Sequence, residues 1–309
     1  IDRLADILRQ QGWSASWSSL VPIQPRGTKP PLFWVHGGGG NLLHFRKFAE
    51  QLGADQPFYG LQAYCLDGRP AKLTRVEDMA AHYITELRTV QAEGPYYLGG
   101  HCFGGWVALE MAQQLSAQGE QVAFLACTDS SPPPLSKEKQ ELDAEQDWRD
   151  KMKLHRDNLA QLSRIAKLMY FIKRTRTKLR ATYERLAYKF YLRIGIPIPQ
   201  ALRVCYIFDV NARAQCNYIA RPYAGLIILL WADHDIKRRF HAHYQEGWRR
   251  LATGVENYDL PIGHTDVFRD PHVRHVAERL TQCLARAQAT HAARADTAPR
   301  SATTYNNGG

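Results

Sequence analysis

The six residues Gly100-His101-Cys102-Phe103-Gly104-Gly105 decide the fold of this 309-residue chain. The apolar run Pro95-Tyr96-Tyr97-Leu98 before them predicts a strand, and the run from Trp106 to Met111 after them predicts a helix. A turn this tight brings the two backbones together, so a side chain at position 100 or 104 would strike the neighbouring element. We therefore expect Cys102 in a strained conformation with its sulfur exposed, where the N-terminal amides of the helix favour a thiolate.

A strand, a sharp glycine-rich turn that carries a nucleophile, and a helix are together typical of the nucleophile elbow of α/β-hydrolases. A chance G-x-C-x-G sequence is the alternative reading of such a short pattern. The strand before the turn and the helix after it favour the elbow.

Strand and helix patterns alternate on both sides of the elbow. Apolar runs predict strands at 31–36, 57–62, 121–127, 225–231 and 255–260, and helical patterns occur at 75–92, 103–117, 201–220 and 271–288. Such alternation predicts an α/β fold with a mostly parallel central sheet and helices on both faces.

The alternation stops at Pro132-Pro133-Pro134 and resumes near residue 200. A long charged helical stretch replaces it, with an apolar stripe that is expected to pack, formed by Leu159, Leu162, Ile165, Leu168, Met169 and Ile172. Because folds of this class place their sites at the carboxyl edge of the sheet, we interpret the 132–200 insertion as a helical lid above that edge. The hydrolase domain is then expected to span 1–290, and the polar tail 291–309 is expected to be disordered.

The net charge of +10 is concentrated in one segment. Residues 151–193 carry 13 Lys or Arg against Asp157 and Glu184. A basic surface of this kind suits an acidic partner protein or a solvated helical face. Nucleic acid is not the expected partner, because no nucleic-acid-binding motif accompanies the charge.

The cysteines and the hydropathy indicate the compartment. None of the six cysteines shows C-x-x-C or zinc-ligand spacing, and no apolar stretch approaches the roughly 18 residues that span a bilayer. We therefore expect no metal, no membrane and a reducing, cytoplasmic environment. The chain begins with Ile1 rather than Met, which suggests a segment cut from a longer polypeptide.

A thiol nucleophile needs a base, and His264 is the candidate. It lies in Leu260-Pro261-Ile262-Gly263-His264-Thr265-Asp266, after the last predicted strand and before the last helix. This position agrees with the order nucleophile, acid, histidine found along α/β-hydrolase chains. His36 and His101 flank tight glycine turns and are expected to make structural hydrogen bonds instead.

The acid that orients the histidine has two candidate positions. Asp129 ends the strand that follows the elbow helix, whereas Asp233 and Asp235 follow the strand that ends at Trp231. Both strand ends open on the same edge of the sheet, so position alone leaves the choice open. Asp266 would point away from His264 in an extended segment.

Two backbone amides are expected to form the oxyanion hole. One is the N–H of Phe103, the residue after the nucleophile. The other comes from His36-Gly37-Gly38-Gly39-Gly40, with Gly38 favoured and Gly37 next, because glycine lets the backbone approach the oxyanion closely. Phosphate binding by this loop is discounted, since neither GK[ST] nor the G-x-G-x-x-G spacing is present.

Taken together, these segments resemble the thioesterase domains that end non-ribosomal peptide and polyketide synthases. The resemblance covers about residues 15–288 and rests on PLFWVHGGGG (31–40), PYYLGGHCFGGWVALEMAQQL (95–115), LACTDSSPPP (125–134), AQCNYIARPYAGLIILLWA (214–232) and LPIGHTDVFRDPHV (260–273). It implies an α/β-hydrolase fold in which 132–200 is the family's variable lid, and it selects Asp129 as the acid. It also implies a substrate delivered on the 4'-phosphopantetheine arm of an upstream carrier protein, with no cofactor bound by the domain itself.

Cys102 departs from the family, most of which has Ser at that position. A thioester acyl-enzyme stays activated, so the chain could be released by hydrolysis or by cyclisation. Two alternatives stay open at this point. One is a dienelactone-hydrolase-like Cys esterase, which the long insertion disfavours, and the other is a non-catalytic module that binds acyl groups or partners on a hydrolase scaffold.

Overall fold

The structure is a computed structural model that describes residues 18–160, 162–232, 235–260, 262–263 and 266–297. Within this part of the chain, seven strands form one sheet in the order β1-β3-β2-β4-β5-β6-β7. They are β1 (Leu20–Gln24), β2 (Leu32–Val35), β3 (Phe58–Leu61), β4 (Tyr96–His101), β5 (Val122–Thr128), β6 (Tyr223–Ala232) and β7 (Ala252–Leu260). Strand β1 pairs antiparallel with β3, and every other neighbouring pair is parallel. The predicted α/β fold with a mostly parallel sheet is confirmed.

Eight helices accompany the sheet in the described ranges. They are α1 (Phe45–Gln51), α2 (Val76–Leu87), α3 (Phe103–Ala117), α4 (Lys137–Ala160), α5 (Arg164–Arg193), α6 (Gln200–Asn217), α7 (Asp235–Leu251) and α8 (Val273–Thr297). The helix after the elbow has the bounds that the sequence predicts, 103–117.

The sheet has an apolar core on each face. Strand β2 is buried at every position and β4 at every position but the last, as expected for strands between two layers of helices. One core contains α2 and α3, with Met79 and Leu109 among its members. The other contains α1 and α8, and there Trp34 packs edge-on against Phe48 and Phe268.

Several elements differ from the sequence-based expectation. Strand β1 and helix α7 were not predicted. The expected disorder from residue 291 is wrong for 291–297, because α8 continues to Thr297. Residues 1–17 and 298–309 lie outside the described residues.

The 132–200 insertion is helical, but its apolar stripe is not packed as expected. Ile165 is 77% exposed and Leu168 is 61% exposed, so the expectation of simple packing is wrong for this part of α5. The end of α5 is attached more firmly, because Tyr188 is buried and donates a hydrogen bond of 2.6 Å to Asp209 on α6. This bond joins the 132–200 segment to α6.

The elbow shows the close backbone contact that its glycines predict. A Cβ atom on Gly100 would overlap the carbonyl of Gly104, and one on Gly104 would overlap the carbonyl of His36. Neither neighbour is the flexible end of a side chain, so a larger residue must displace the backbone of β2, β4 or α3.

We predict that Gly100→Ala lowers the free energy of unfolding by about 3 kcal/mol or more, because it overpacks a backbone contact. Gly119→Ala is the matched control, since Gly119 has a φ of 82° but open space around it, and it should cost only about 1–2 kcal/mol. Urea denaturation of both variants measures the difference. Equal losses would show that strand and helix do not touch at the elbow as described.

Candidate active site

Cys102 lies in a left-handed backbone conformation between β4 and α3, with a φ of 53°. Its N–H donates to the carbonyl of Thr128 at 2.9 Å, and its own carbonyl accepts from the Ser130 hydroxyl at 2.8 Å. The turn is thus held by the end of the neighbouring strand β5. The Cys102 side chain remains partly exposed.

Asp129 directly follows β5 and has the second unusual backbone conformation. Its φ is 49°, and among the described residues it and Cys102 are the two non-glycine positions with positive φ. Such conformations cost about 1–2 kcal/mol and concentrate at functional sites. Asp129 is also almost fully buried, and its N–H donates to the Leu230 carbonyl at 2.7 Å. The two strained residues therefore follow adjacent strands at the carboxyl edge of the sheet.

The cavity at this edge contains the nucleophile candidate. It has a volume of about 350 Å³. Its apolar wall is formed by Phe45, Val204, Phe208 and Phe268, and the glycine run 37–40, Asn41, His44, His101, Cys102 and Arg269 complete the lining. A larger cavity of about 680 Å³ lies between α8 and the first residues of β5, away from this edge. Sites in such sheets form at the carboxyl ends of the strands, and of these two cavities the smaller one lies there.

The backbone N–H groups that face this region are available for a ligand. Gly38 and Gly39 donate to no acceptor within the described residues. Phe103 is the first residue of α3, where an N–H has no acceptor inside the helix. Amides of both predicted oxyanion segments therefore border Cys102.

His36 and His101 make structural contacts, as expected. His36 is buried, its Nδ1 lies 2.6 Å from the Gly37 carbonyl, and its Nε2 lies 2.9 Å from the Tyr83 hydroxyl. Burial lowers the pKa of His36 to about 4, so the ring is neutral at physiological pH and its Nδ1–H donates to the carbonyl. The His101 Nδ1 lies 3.1 Å from the Thr128 carbonyl, and its ring packs edge-on against Phe268.

The structure does not place every predicted residue. His264 and Asp233 lie outside the described residues. Asp235 is the first residue of α7, and Asp266 forms an ion pair of 3.7 Å with Arg269. The residues on either side of His264 are informative, since Ile262 is buried and Phe268 lines the Cys102 cavity.

Three residues that the sequence analysis missed contact the site. Ser130 holds the Cys102 carbonyl, Phe208 packs on the glycine run, and Asn211 donates to the Gly38 carbonyl at 2.9 Å. Ser130 follows Asp129 directly, so its position after β5 could have signalled it. Phe208 and Asn211 lie more than 160 residues from the glycines, and no local pattern marks them.

Three other features of the described ranges bear on function: metal ligands, buried thiols and membrane-spanning helices. No group of three His, Cys, Asp or Glu could hold a metal ion there. Burial raises the pKa of the Cys65 thiol to about 11 and also raises that of Cys127, so both are poor nucleophiles. None of the helices that the structure describes combines the length and the apolar character needed to cross a membrane.

The comparisons with known proteins identify the class. Residues 30–190 match the thioesterase domain family, and the chain belongs to that family. Among solved structures, the NocB thioesterase domain from the nocardicin cluster shares this fold, with a TM-score of 0.59 and 23% identity over 86% of this chain and 99% of that one.

Among curated relatives, this chain is similar to two large synthetases. Malpinin synthetase of Mortierella alpina is 45% identical over 115 residues, which is 37% of this chain and 2% of the relative. Dimodular nonribosomal peptide synthase of Bacillus subtilis (strain 168) is 41% identical over 129 residues, which is 42% of this chain and 5% of the relative. The matched segment is thus a small fraction of each of these relatives.

We predict that His36 makes the stability of the fold depend on pH. The unfolded histidine binds a proton below its ordinary pKa of 6.5, whereas the folded one does so only near pH 4. Stability from this group is therefore complete above pH 6.5 and falls by about 3 kcal/mol as the pH drops to 4.

His36→Asn retains an amide donor near the Gly37 carbonyl and removes the titration. Urea denaturation at several pH values should show a flatter profile for this variant between pH 6.5 and 4. All other side chains are the same in both proteins. Parallel profiles would show that His36 is not buried in its neutral form.

Proposed function

We propose that this chain releases an acyl or peptidyl chain from the phosphopantetheine arm of a carrier protein, through a thioester formed on Cys102. The observation that carries the proposal is the position of Cys102, a partly exposed thiol in a positive-φ turn that opens into a cavity. Membership of the thioesterase family and the likeness to a nonribosomal peptide synthase support it. A compact Cys esterase does not account for the long helices of the 132–200 segment.

The first half-reaction transfers the acyl group from one sulfur to another. His264 takes the proton of Cys102, and the sulfur adds to the thioester carbonyl to give a tetrahedral oxyanion. The carbon–sulfur bond to the phosphopantetheine arm then breaks, and His264 returns the proton to the departing thiol. Because a thioester replaces a thioester, the exchange is nearly isoenergetic.

The second half-reaction removes the chain from Cys102. His264 takes a proton from water or from a nucleophile within the chain, which adds to the acyl carbonyl. The carbon–sulfur bond to Cys102 then breaks, and His264 returns the proton to the Cys102 sulfur. Water yields an acid, and an internal amine or hydroxyl yields a ring. The acyl-enzyme is activated enough for either nucleophile.

The residues around His264 support its part in this scheme. Phe268, four positions later, lines the cavity and packs against His101, the residue before Cys102. The chain therefore reaches the cavity four residues after His264 in the sequence. Asp129 lies at the end of the strand beside the elbow, where its carboxylate can orient the imidazole.

The oxyanion receives two backbone hydrogen bonds in this proposal. The N–H of Phe103 comes from the N-terminus of α3, and the N–H of Gly38 comes from the glycine run, with Gly37 as the next choice. Both N–H groups belong to the backbone and are in place before the reaction begins, as the preorganised donors of an oxyanion hole must be.

The basic lid is the proposed surface for the carrier protein. Helix α5 carries ten Lys or Arg and one acid, Glu184, and it is largely exposed. Such a surface would steer an acidic carrier towards the cavity in a salt-dependent way. The phosphopantetheine arrives on that carrier, so the domain itself needs neither a cofactor nor a metal.

We predict that Cys102→Ala abolishes acyl loading by an S-acyl-N-acetylcysteamine thioester, whereas Cys102→Ser loads but partitions differently between hydrolysis and cyclisation. The reason is that serine forms an ester, which is less activated than a thioester. Intact-mass analysis detects the acyl adduct, and chromatography separates the products.

Cys216→Ser is the matched control, because Cys216 is exposed and lies outside the cavity lining. It should load and turn over like the unmodified chain. Turnover of an acyl thioester by Cys102→Ala would refute the proposal.

We predict that Asp129→Asn slows turnover by about 100-fold or more without unfolding the chain. Asparagine tolerates a positive φ, so the backbone is kept while the charge that orients and stabilises the imidazolium is lost. The exposed Asp55→Asn, which only loses its bonds to Thr28, is the control. A kcat equal to that of the control would exclude Asp129 as the acid.

A further inference from the structure

The glycine run next to Cys102 forms a defined turn. Gly40 N–H donates to the Gly37 carbonyl at 3.0 Å, which closes a four-residue turn whose central peptide joins Gly38 to Gly39. Neither of these two central glycines has a positive φ. Types II, I′ and II′ each require a positive φ at one or both central positions, so this turn is type I.

The turn type decides which backbone groups of the glycine run face the cavity. In a type I turn the central residues are nearly helical, so the N–H groups of Gly38 and Gly39 point to one side. The carbonyls of Gly37 and Gly38 then point to the other side. Rotation of the central peptide by half a turn gives type II, which brings the Gly38 carbonyl to the same side as the Gly38 N–H. The Gly38 carbonyl oxygen would then repel an oxyanion bound at the Gly38 N–H.

The sequence of the turn does not select between these states. Glycine adopts negative and positive φ about equally readily, so Gly38 and Gly39 permit both turn types. The selection has to come from outside the turn.

A buried side chain on α6 supplies it. Asn211 on α6 is 3% exposed, and its Nδ2 donates to the Gly38 carbonyl at 2.9 Å. A flipped central peptide would turn the Gly39 N–H towards the Asn211 amide and leave that buried donor without an acceptor, which is unfavourable.

We propose that Asn211 is a positioning residue for the oxyanion hole: it holds the Gly38 carbonyl away from the cavity and so keeps the turn in the form whose N–H groups can receive the oxyanion. The inference rests on the proposed function, because it assumes that Gly38 is an oxyanion donor. It assigns a catalytic consequence to a residue of the helix that follows the lid.

The test compares two reactions of the same sulfur. Acylation by S-acyl-N-acetylcysteamine passes through an oxyanion, whereas alkylation by iodoacetamide is a direct displacement that forms none. Both are followed at Cys102 by intact mass with peptide mapping. A change in thiol reactivity alters both rates, whereas a change in the oxyanion hole alters only the acylation rate. The ratio of the acylation rate to the alkylation rate therefore reports on the oxyanion hole.

Asn211→Ala should lower this ratio about tenfold, and Asn211→Asp about a hundredfold. The carboxylate has a larger effect because it repels the Gly38 carbonyl and attracts the Gly39 N–H of the flipped turn. Asn217→Asp is the matched control on the same helix, since Asn217 bonds only to the Arg213 carbonyl, and its ratio should stay within twofold of the unmodified chain.

A second substitution provides a rescue. A Cβ on Gly39 would lie 3.6 Å from its nearest neighbours, which is ordinary contact, and alanine disfavours the positive φ of a type II turn. The double variant Asn211→Ala/Gly39→Ala should therefore recover part of the ratio lost in Asn211→Ala. A structural defect at Asn211 would not be repaired in this way. If Asn211→Asp does not fold, the alanine variant and its rescue still decide the question.

The outcomes separate the inference from the function on which it rests. An unmodified chain that alkylates but never acylates at Cys102 refutes the proposed function. An unmodified chain that acylates, with a ratio unchanged by Asn211→Ala or lowered without rescue by Gly39→Ala, refutes the inference alone.

Discussion

The close contact between the backbones of β4 and α3 is the constraint on which the rest of the site depends. Gly100 and Gly104 leave no room for a Cβ atom, so the chain reverses within two residues and Cys102 is driven to a φ of 53°. The same contact places Cys102 immediately before the first turn of α3, and the N-terminus of a helix favours a thiolate. A side chain at either glycine would relax the turn and lose the exposed position of Cys102.

The neighbouring segments keep this strained turn in place. Ser130 and the Thr128 carbonyl bond the backbone of Cys102, so the end of β5 fixes both the nucleophile and Asp129. On the other side, α6 reaches the glycine run through Asn211 and is itself joined to α5 through Asp209, which accepts from Arg185 and Tyr188. Helix α6 thus contacts both α5 and the glycine run of the cavity.

Much of the fold could be predicted from the sequence because its signals are local. The glycine spacing around Cys102 and the apolar runs of β2, β4, β5 and β6 predict the elbow and the sheet. Strand β1 could not be predicted, since it is short, contains Pro22 and exists through pairing with β3. The apolar stripe on α5 has the same helical spacing whether its side chains are packed or exposed. Spacing alone therefore could not predict that this face is exposed. Asn211 acts across the fold on residue 38, and no sequence window contains both.

A crystal structure of the chain with an acyl aldehyde tests the central claim most directly. The thiol adds to the aldehyde, so the adduct reproduces the tetrahedral oxygen of the reaction. The account predicts a bond from Cys102 Sγ to the aldehyde carbon, with the oxygen within about 3 Å of the Gly38 and Phe103 nitrogens and the imidazole of His264 beside the sulfur. An adduct on another side chain, or an oxygen turned away from both amides, would contradict it.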